Sequence, residues 1–463
     1  MIRVRHHRID QLRRELTGRV LLPGDAGYER AIQIDNGRIQ AAPALVVLPF
    51  DAGDIRSAMR FAQDNELELR VLGGGHSAGG YCLAPEGMVL DMTAYNNIWL
   101  RPEDRTLRVQ AGVRWGSVYE LMEGGATGLV PVGAGCPSVG VVAFVLGGGY
   151  SFVSRSYGLG LDNLISLELV TADGQVRRIG LDSAPEEDHS LFWACRGSGG
   201  GNFGIVTEML LRTHRPASST LLAGYMTFPL DAAKNVISLY NEWVETVPDE
   251  LSVYGFIGMR NGVRTCMLTA VYNGDATTGM NLLEPLLALD PSEVDLHSFT
   301  LPEWERYNQA ITAVKRRNAY VRSGFLPPKG LTARVIELMV DSIREAPSSE
   351  SFVVWLHAGG KIADFSDEET AFPHRGAGFL WQLKSIWDRP GDGDKNIGWA
   401  VDLGNALAPY FIGAYVNYID PFQVDWQKMY YKDNYHRLLE IKTRVDPHNL
   451  FRFEQSIGSA YQP

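Results

Sequence analysis

The stretch 71–81, Val-Leu-Gly-Gly-Gly-His-Ser-Ala-Gly-Gly-Tyr, constrains this 463-residue chain more than any other. It opens as a strand, Leu69-Arg70-Val71-Leu72, and breaks into glycines around His76. Glycine carries no Cβ, so its backbone N–H can approach a bulky ligand and its φ can turn positive. A histidine in such a loop can be held against that ligand. A second stretch has the same character. It reads Val132-Gly-Ala-Gly-Cys136-Pro-Ser-Val-Gly140 and runs on to Gly147-Gly148-Gly149-Tyr150, placing a cysteine among glycines sixty positions after His76.

Taken singly, neither loop carries a function. A glycine-rich loop is usually a tight turn, and a histidine in it is usually a hydrogen-bonding side chain. The fingerprint Gly-x-Gly-x-x-Gly is not met, because Gly133, Gly135 and Gly140 are wrongly spaced, which argues against nicotinamide in a Rossmann turn. The pair is different. One nucleophilic nitrogen and one nucleophilic sulfur, each in a glycine-lined loop, are what a doubly attached flavin needs.

Further segments follow in order. They are Tyr157-Gly-Leu-Gly-Leu-Asp162-Asn163, Arg196-Gly-Ser-Gly-Gly-Gly-Asn202-Phe203-Gly204-Ile205-Val206 and Tyr415-Val-Asn417-Tyr418. The tail adds Tyr431-Lys-Asp-Asn434-Tyr435 and Asp446-Pro447-His-Asn449-Leu-Phe451-Arg-Phe-Glu-Gln455-Ser456-Ile457. From about residue 40 to residue 458 the chain resembles the FAD-linked oxidases of the vanillyl-alcohol oxidase superfamily, with their PCMH-type FAD-binding domain. Within it, the chain resembles the berberine-bridge-enzyme-like branch. The resemblance implies bicovalent FAD, with His76 on the flavin 8α-methyl and Cys136 on carbon 6. It implies an α+β fold with a two-part FAD-binding domain at 1–215. A substrate domain with an antiparallel sheet covered by helices is expected at 216–418. A C-terminal segment, 419–463, is expected to return to the first domain. Gly73, Gly74, Gly75, Ser77, Gly135, Val139, Gly140, Gly204, Ile205, Val206 and Asn417 are expected against the cofactor.

Bulk properties narrow the partners. A net charge of −11 argues against nucleic acid and against an anionic membrane surface. The longest apolar runs are far shorter than a spanning helix. The start, Met1-Ile-Arg-Val-Arg-His-His-Arg-Ile-Asp, lacks the apolar segment of a secretory signal. Cys82, Cys136, Cys195 and Cys266 are scattered without a paired framework, so a reducing, cytoplasmic setting is expected, with three structural thiols and one functional one. No Cys-x-x-Cys or His-x-x-x-His pair suggests a metal site.

The coarse pattern begins β-α-β. Residues 45–48 read as a strand, Asp51 or Asp54 as the cap of a helix running to about Gln63, and 69–72 as the strand that delivers the His76 loop. Further strands are expected at 88–91 and 106–109, helices at 115–122, 139–146 and 189–194, a hairpin over 164–171 and 176–179, and a strand at 205–212. The N-terminus of the 139–146 helix is expected to favour a Cys136 thiolate. Beyond Pro216, four strands (221–228, 253–259, 265–272, 352–358) alternate with helices at 231–247, 302–316 and 331–344, the helices expected on one face. Residues 389–395 read as a loop, 410–418 as an aromatic strand and 425–445 as one amphipathic helix.

Tyr418 is the expected general base, since it closes the Tyr-Val-Asn-Tyr segment, and in such enzymes the second tyrosine there deprotonates substrate. Without the resemblance it is one of nineteen tyrosines, more often core than catalytic. A phenol of pKa ~10 is a poor base at pH 7 unless a cation or hydrogen-bond donors lower it. On a strand, Asn417 would face the opposite side. Tyr150 and Gln382, the latter after Pro373-His374-Arg375, are further pocket candidates. Trp381, Tyr320 and Tyr254 are candidates for stacking on a ring substrate, although aromatics in strands are more often core. Val139 is expected to leave oxygen a path to the flavin.

The expected activity is that of an FAD-dependent oxidase. It would oxidise an alcohol or activated C–H group of a small molecule, a natural product or sugar, with hydride transfer to flavin and oxygen reduced to hydrogen peroxide. The alternatives are a carbohydrate oxidase, a flavin dehydrogenase or oxidative cyclase that uses oxygen poorly, and a silent flavin-binding protein.

Overall fold

Asp51 caps the helix that follows the strand at 45–48. Its side chain accepts a hydrogen bond from the Asp54 amide at 2.9 Å and starts a helix over Ala52–Asp64. Ile55, Ala58, Met59 and Ala62 form the buried stripe of that helix. The computed structural model describes residues 6–125, 127–312 and 316–459. In the first sheet, β1 (Arg19–Leu21), β2 (Leu45–Leu48), β3 (Leu69–Leu72) and β4 (Met88–Asp91) lie in the order β1-β2-β4-β3. Both β2 and β3 run parallel to β4, which inserts between them, so the β-α-β reading holds and the His76 loop leaves the carboxyl end of β3.

The second sheet is antiparallel. It contains β5 (Ile98–Arg101), β6 (Thr106–Gln110), β7 (Leu164–Val170), β8 (Val176–Gly180) and β9 (Ile205–Arg212), in the order β5-β6-β9-β7-β8. The expected hairpin is β7–β8.

The third sheet has seven antiparallel strands where sequence patterning gave four. They are β10 (Leu221–Pro229), β11 (Leu251–Arg260), β12 (Val263–Tyr272), β13 (Glu293–Phe299), β14 (Asn318–Leu326), β15 (Phe352–His357) and β16 (Phe379–Trp387), in the order β13-β10-β12-β11-β15-β16-β14. Alternation along each strand divides its two faces. Val253, Ile257, Trp355, Trp381 and Leu383 pack under the helices Ala233–Trp243, Ala276–Leu287, Ala333–Arg344 and Gly393–Leu407. Tyr254, Phe256 and Gln382 occupy the other face, toward the first two sheets. A fifth helix, Leu301–Thr312, packs on that other face beside the helix Trp115–Gly125, so not every helix lies on one side. The reading of 302–316 as helix extends over 313–315, which lie outside the described residues.

Other readings are corrected. The segment 410–418 is no strand. It has a 3₁₀ turn at Ala408–Tyr410, a short bridge to Phe325, and a second 3₁₀ turn at Val416–Tyr418 closed by Tyr418 N–H on the Tyr415 carbonyl at 2.9 Å. The chain turns because Tyr415 is drawn into a ring cluster with Tyr150, Phe325 and Phe372. The helix expected over 425–445 breaks at Lys432, with φ of 46°, into Trp426–Tyr431 and Asn434–Val445. Residues 389–395 are a 3₁₀ turn leading into a helix. The helix expected from 139 begins at Val141. In the tail, Tyr431, Leu438 and Ile441 share a core with Phe192, Trp193 and Phe203.

The two glycine loops meet backbone to backbone. A Cβ on Gly74 would lie 2.2 Å from the Gly140 nitrogen, and a Cβ on Gly140 would lie 2.7 Å from the Gly74 nitrogen. Both distances are far inside van der Waals contact and the obstacle is backbone. Gly74→Ala is therefore expected to force the loops apart at an overpacking cost of about 1–3 kcal/mol. The midpoint of thermal unfolding should fall and the purified protein should carry less flavin. An unchanged midpoint with full flavin content would show that the crossing has slack.

Candidate functional site

A cavity of roughly 530 Å³ runs between the glycine loops and the third sheet. Gly73, Gly74, Gly75, His76 and Ser77 line it from the first loop, and Gly135, Cys136, Val139 and Gly140 from the second. A turn holds the second loop, with Val139 N–H on the Cys136 carbonyl at 3.2 Å and Trp115 N–H on the Val139 carbonyl at 3.1 Å. The two loops thus bring His76 and Cys136 onto one hydroxyl. Ser138 Oγ is 2.8 Å from His76 Nε2 and 3.3 Å from Cys136 Sγ. Burial is the largest influence on His76 and lowers its pKa, with Lys384 and Arg114 acting the same way and Asp35 opposing. Cys136 is exposed to the cavity, whereas Cys195 and Cys266 are buried and pushed up to about 12 by burial.

The Tyr415–Tyr418 turn closes one end. Tyr415 Oη accepts from the Gly149 amide at 2.7 Å and from Asn417 Nδ2 at 3.0 Å, while Asn417 Nδ2 also donates to the Phe144 carbonyl. Gly147 makes room for this amide, since a Cβ there would lie 2.0 Å from Asn417 Oδ1. Asn417 and Tyr418 both line the cavity instead of facing opposite ways, because the backbone is turning and not extended. Burial pushes the Tyr418 phenol well above its ordinary value, and Tyr415 and Cys136 push the same way. Tyr418 is thus a neutral phenol at rest.

Tyr150 lines the cavity with its hydroxyl buried and without a hydrogen-bond partner. Gln382 lines it from β16 and Tyr254 from β11, where Tyr254 stacks on Phe152 at 4.9 Å. Trp381 and Tyr320 do not reach it. Trp381 faces the helices, with Nε1 on Met339 Sδ at 3.2 Å, and Tyr320 donates to Asp420 Oδ1 at 2.8 Å. His374 and Arg375 are structural. His374 stacks on Phe325 at 4.4 Å, and Arg375 grips Asp162 with two hydrogen bonds of 2.8 Å. Gly204 and Val206 line the cavity, but Ile205 points into the core, fully buried.

Sequence reasoning missed Glu305. It sits on the buried stripe of Leu301–Thr312, only 4% exposed, with neither carboxyl oxygen hydrogen-bonded among the described residues. Its Oε2 would lie 3.6 Å from a Cβ on Gly135, and its neighbour Asn308 lines the cavity. Burial drives its pKa well up, so it is held as the neutral acid. The available signal was an acid and an amide, at 305 and 308, on the same stripe as Leu301 and Trp304.

A third glycine loop, Ser198 to Gly201, borders the same cavity, which continues past Arg70, Tyr81 and Phe453. An elongated, mostly apolar trough flanked by three glycine loops, with a buried hydroxyl lacking a partner, suits a flavin dinucleotide. Comparison with known proteins agrees. The family described as "FAD binding domain" matches residues 43–180, and "Berberine and berberine like" matches residues 414–458. YvdP of Bacillus subtilis (strain 168), an uncharacterized FAD-linked oxidoreductase, is 31% identical over 449 residues, covering 96% of this chain and 98% of that protein. The structure of Physcomitrella patens BBE-like 1 superposes with a TM-score of 0.89 over 98% of this chain and 100% of that one, at 24% identity. A berberine bridge enzyme variant in complex with (S)-reticuline superposes at 0.88 over 99% of each chain, at 20% identity. This chain belongs to the berberine-bridge-enzyme-like family of FAD-linked oxidoreductases.

Glu305 gives the fold a pH signature. Its folded pKa is raised, so its contribution is fully present below the unfolded value and is lost as pH rises toward the folded one. Glu305→Gln removes that loss. Thermal midpoints should match wild type near pH 4 and exceed it at pH 7–8. A variant less stable than wild type at every pH would mean that Glu305 has a partner in solution.

Proposed function

We infer that this protein is an FAD-dependent oxidase of a small-molecule alcohol or activated C–H group, with FAD bound covalently through His76 and Cys136. The observation that supports this reading is the convergence of His76 and Cys136 on one hydroxyl at the wall of a single cavity. When bound, FAD supplies a two-electron acceptor whose reduced form passes its electrons to oxygen, giving hydrogen peroxide.

The chain supplies the rest. The face of the third sheet that carries Tyr254, Phe256 and Gln382 forms the wall opposite the glycine loops and orients substrate there. Tyr418 takes the substrate proton at its phenol oxygen. It starts neutral, so the step needs the phenolate. Below the phenol pKa the phenolate fraction grows about tenfold per pH unit, so flavin reduction should accelerate as pH rises. Asn417 stays fixed by Phe144 and Tyr415 and keeps the turn in place. Val139 lines the cavity beside Cys136, leaving room for oxygen.

Acid-precipitated protein should stay yellow, and its intact mass should exceed the chain by one FAD. His76→Ala and Cys136→Ala should each leave singly attached flavin, and the double variant none. Free flavin in the wild-type supernatant would remove the bicovalent reading. A peroxide-coupled screen of sugars, phenols and polyketide-like alcohols tests the activity, and flavin reduction without peroxide would make the protein a dehydrogenase.

Tyr418→Phe keeps the ring and removes the oxygen. Single-turnover flavin reduction should slow by ~10²–10⁴-fold and lose its rise with pH, with the visible spectrum unchanged. A rate within a few-fold of wild type across pH would make Tyr418 a packing residue. Val139→Leu should slow reoxidation in stopped flow and leave reduction nearly unchanged. Equal reoxidation rates would remove Val139 from the oxygen path.

A further inference from the structure

Ser138 has no part in the chemistry described so far, yet its side chain is, among the described residues, the one placed by hydrogen bonds between the two nucleophiles. Its Oγ is 2.8 Å from His76 Nε2 and 3.3 Å from Cys136 Sγ, both within hydrogen-bond reach. On the far side of the imidazole, Asp35 Oδ2 is 3.9 Å from Nδ1, too long for a hydrogen bond but close for an ion contact. Asp35 is itself fixed to the glycine loop, its N–H donating to the Gly75 carbonyl at 2.9 Å. The order is therefore carboxylate, imidazole, hydroxyl, thiol.

We propose that Ser138 is a proton relay through which His76 deprotonates Cys136, making the thiolate that a cysteine must become before it can bond a flavin carbon. In this step the S–H bond breaks and its proton goes to Ser138 Oγ. The Ser138 O–H proton goes to His76 Nε2, where an N–H bond forms. The products are a Cys136 thiolate, an unchanged serine and a His76 imidazolium, with no change of oxidation state. Asp35 faces the new cation.

Asp35 is the group that favours the His76 imidazolium, against burial, Lys384 and Arg114. His76 starts neutral because burial, with Lys384 and Arg114, lowers its pKa against the pull of Asp35. Tyr119 and Tyr418 face Cys136 from other elements and Glu305 lies beside Gly135; burial raises all three and holds them neutral. The turn closed by Val139 N–H on the Cys136 carbonyl keeps the serine beside the sulfur, and the Gly74–Gly140 crossing keeps it beside the imidazole. A serine needed only for the turn would have no reason to reach across to the other loop.

The proposal rests on the reading of His76 and Cys136 as attachment residues, but its test does not. Flavin-free protein is prepared from riboflavin-limited cells as wild type, Ser138→Ala, Ser138→Thr and His76→Ala, with circular dichroism to verify folding. Each is alkylated with iodoacetamide at pH 5–10, and the rate at Cys136 is read by peptide mass. Only the thiolate reacts. Ser138→Ala and His76→Ala should shift the Cys136 profile upward by about one pH unit, or about tenfold in rate at neutral pH. Ser138→Thr, which restores the hydroxyl, should follow wild type. Superimposable profiles in all four proteins would overturn the relay and leave Ser138 a turn residue. If the flavin-free chain does not fold, the comparison is made on normally expressed protein, as the fraction of Cys136 left alkylatable. That fraction should be small in wild type and Ser138→Thr and large in Ser138→Ala, and equal fractions overturn the proposal. Wild type that carries no flavin on Cys136 would refute the attachment reading while the alkylation profiles still decide the relay.

Discussion

The site depends on one close approach of two backbones. Gly74 and Gly140 meet where neither can carry a side chain. One follows a strand of the first sheet, and the other precedes the short helix Val141–Leu146. Their crossing fixes the two loops at a separation that no side-chain packing could set as tightly, since side chains have rotamers and a backbone contact has none. Everything chemical follows from it. His76, two residues past one glycine, and Ser138, two residues before the other, fall within hydrogen-bond distance. Cys136 then opens into the same cavity.

The third sheet must be held opposite that crossing, and buried polar groups do this. Arg155, which follows the Gly147–Gly149 run, donates to the Leu251 carbonyl at 2.9 Å and the Ala358 carbonyl at 2.6 Å, at the ends of β11 and β15. Arg375 reaches back to Asp162 with both partners 2% exposed. A guanidinium buried against fixed acceptors tolerates little displacement, because losing one partner leaves an unpaired charge or carboxylate in an apolar setting. The Tyr415–Asn417 pair adds a third clasp through Gly149 and Phe144.

What the sequence made legible was the glycine punctuation and the apolar runs. Strands β2, β3 and β9 fall on their predicted limits, since each is rich in apolar residues and bounded by a turn or glycine. The misses share a cause. Strand β13, Glu-Val-Asp-Leu-His-Ser-Phe, is an edge strand whose side chains are largely exposed, so it carries few apolar residues and its short alternation of Val294 and Leu296 ends at Ser298. The helix Ala276–Leu287 contains Pro285, and Gly393–Leu407 contains Gly398 and Gly404, the second pressed against Arg322 of β14. The aromatic run at 410–418 has the composition of a strand but finds its ladder only at Phe325, because Gly413 sits against the His374 ring. Each is a tertiary contact that local pattern does not encode. The same limit hid Glu305, whose significance lies in what fails to touch it.

The cavity has a consistent electrostatic character. Tyr418, Tyr150 and Glu305 are acids held neutral by burial, and His76 is a base held neutral by the same cause. Lys384 and Arg114 act on it from beside His76. A site of this kind keeps its protons until charge arrives. A group that becomes anionic near the loops gains from those cations, and a phenol beside it becomes easier to ionise only once a cation or donor comes within reach. The burial that raises each acid is offset only by a cation or hydrogen-bond donor placed beside it. A ligand that fills the trough without offering such a group leaves Tyr418 protonated. On the proposed reading, discrimination between substrates of similar shape rests on what they present to Tyr418 and Tyr150, the neutral phenols that line the cavity.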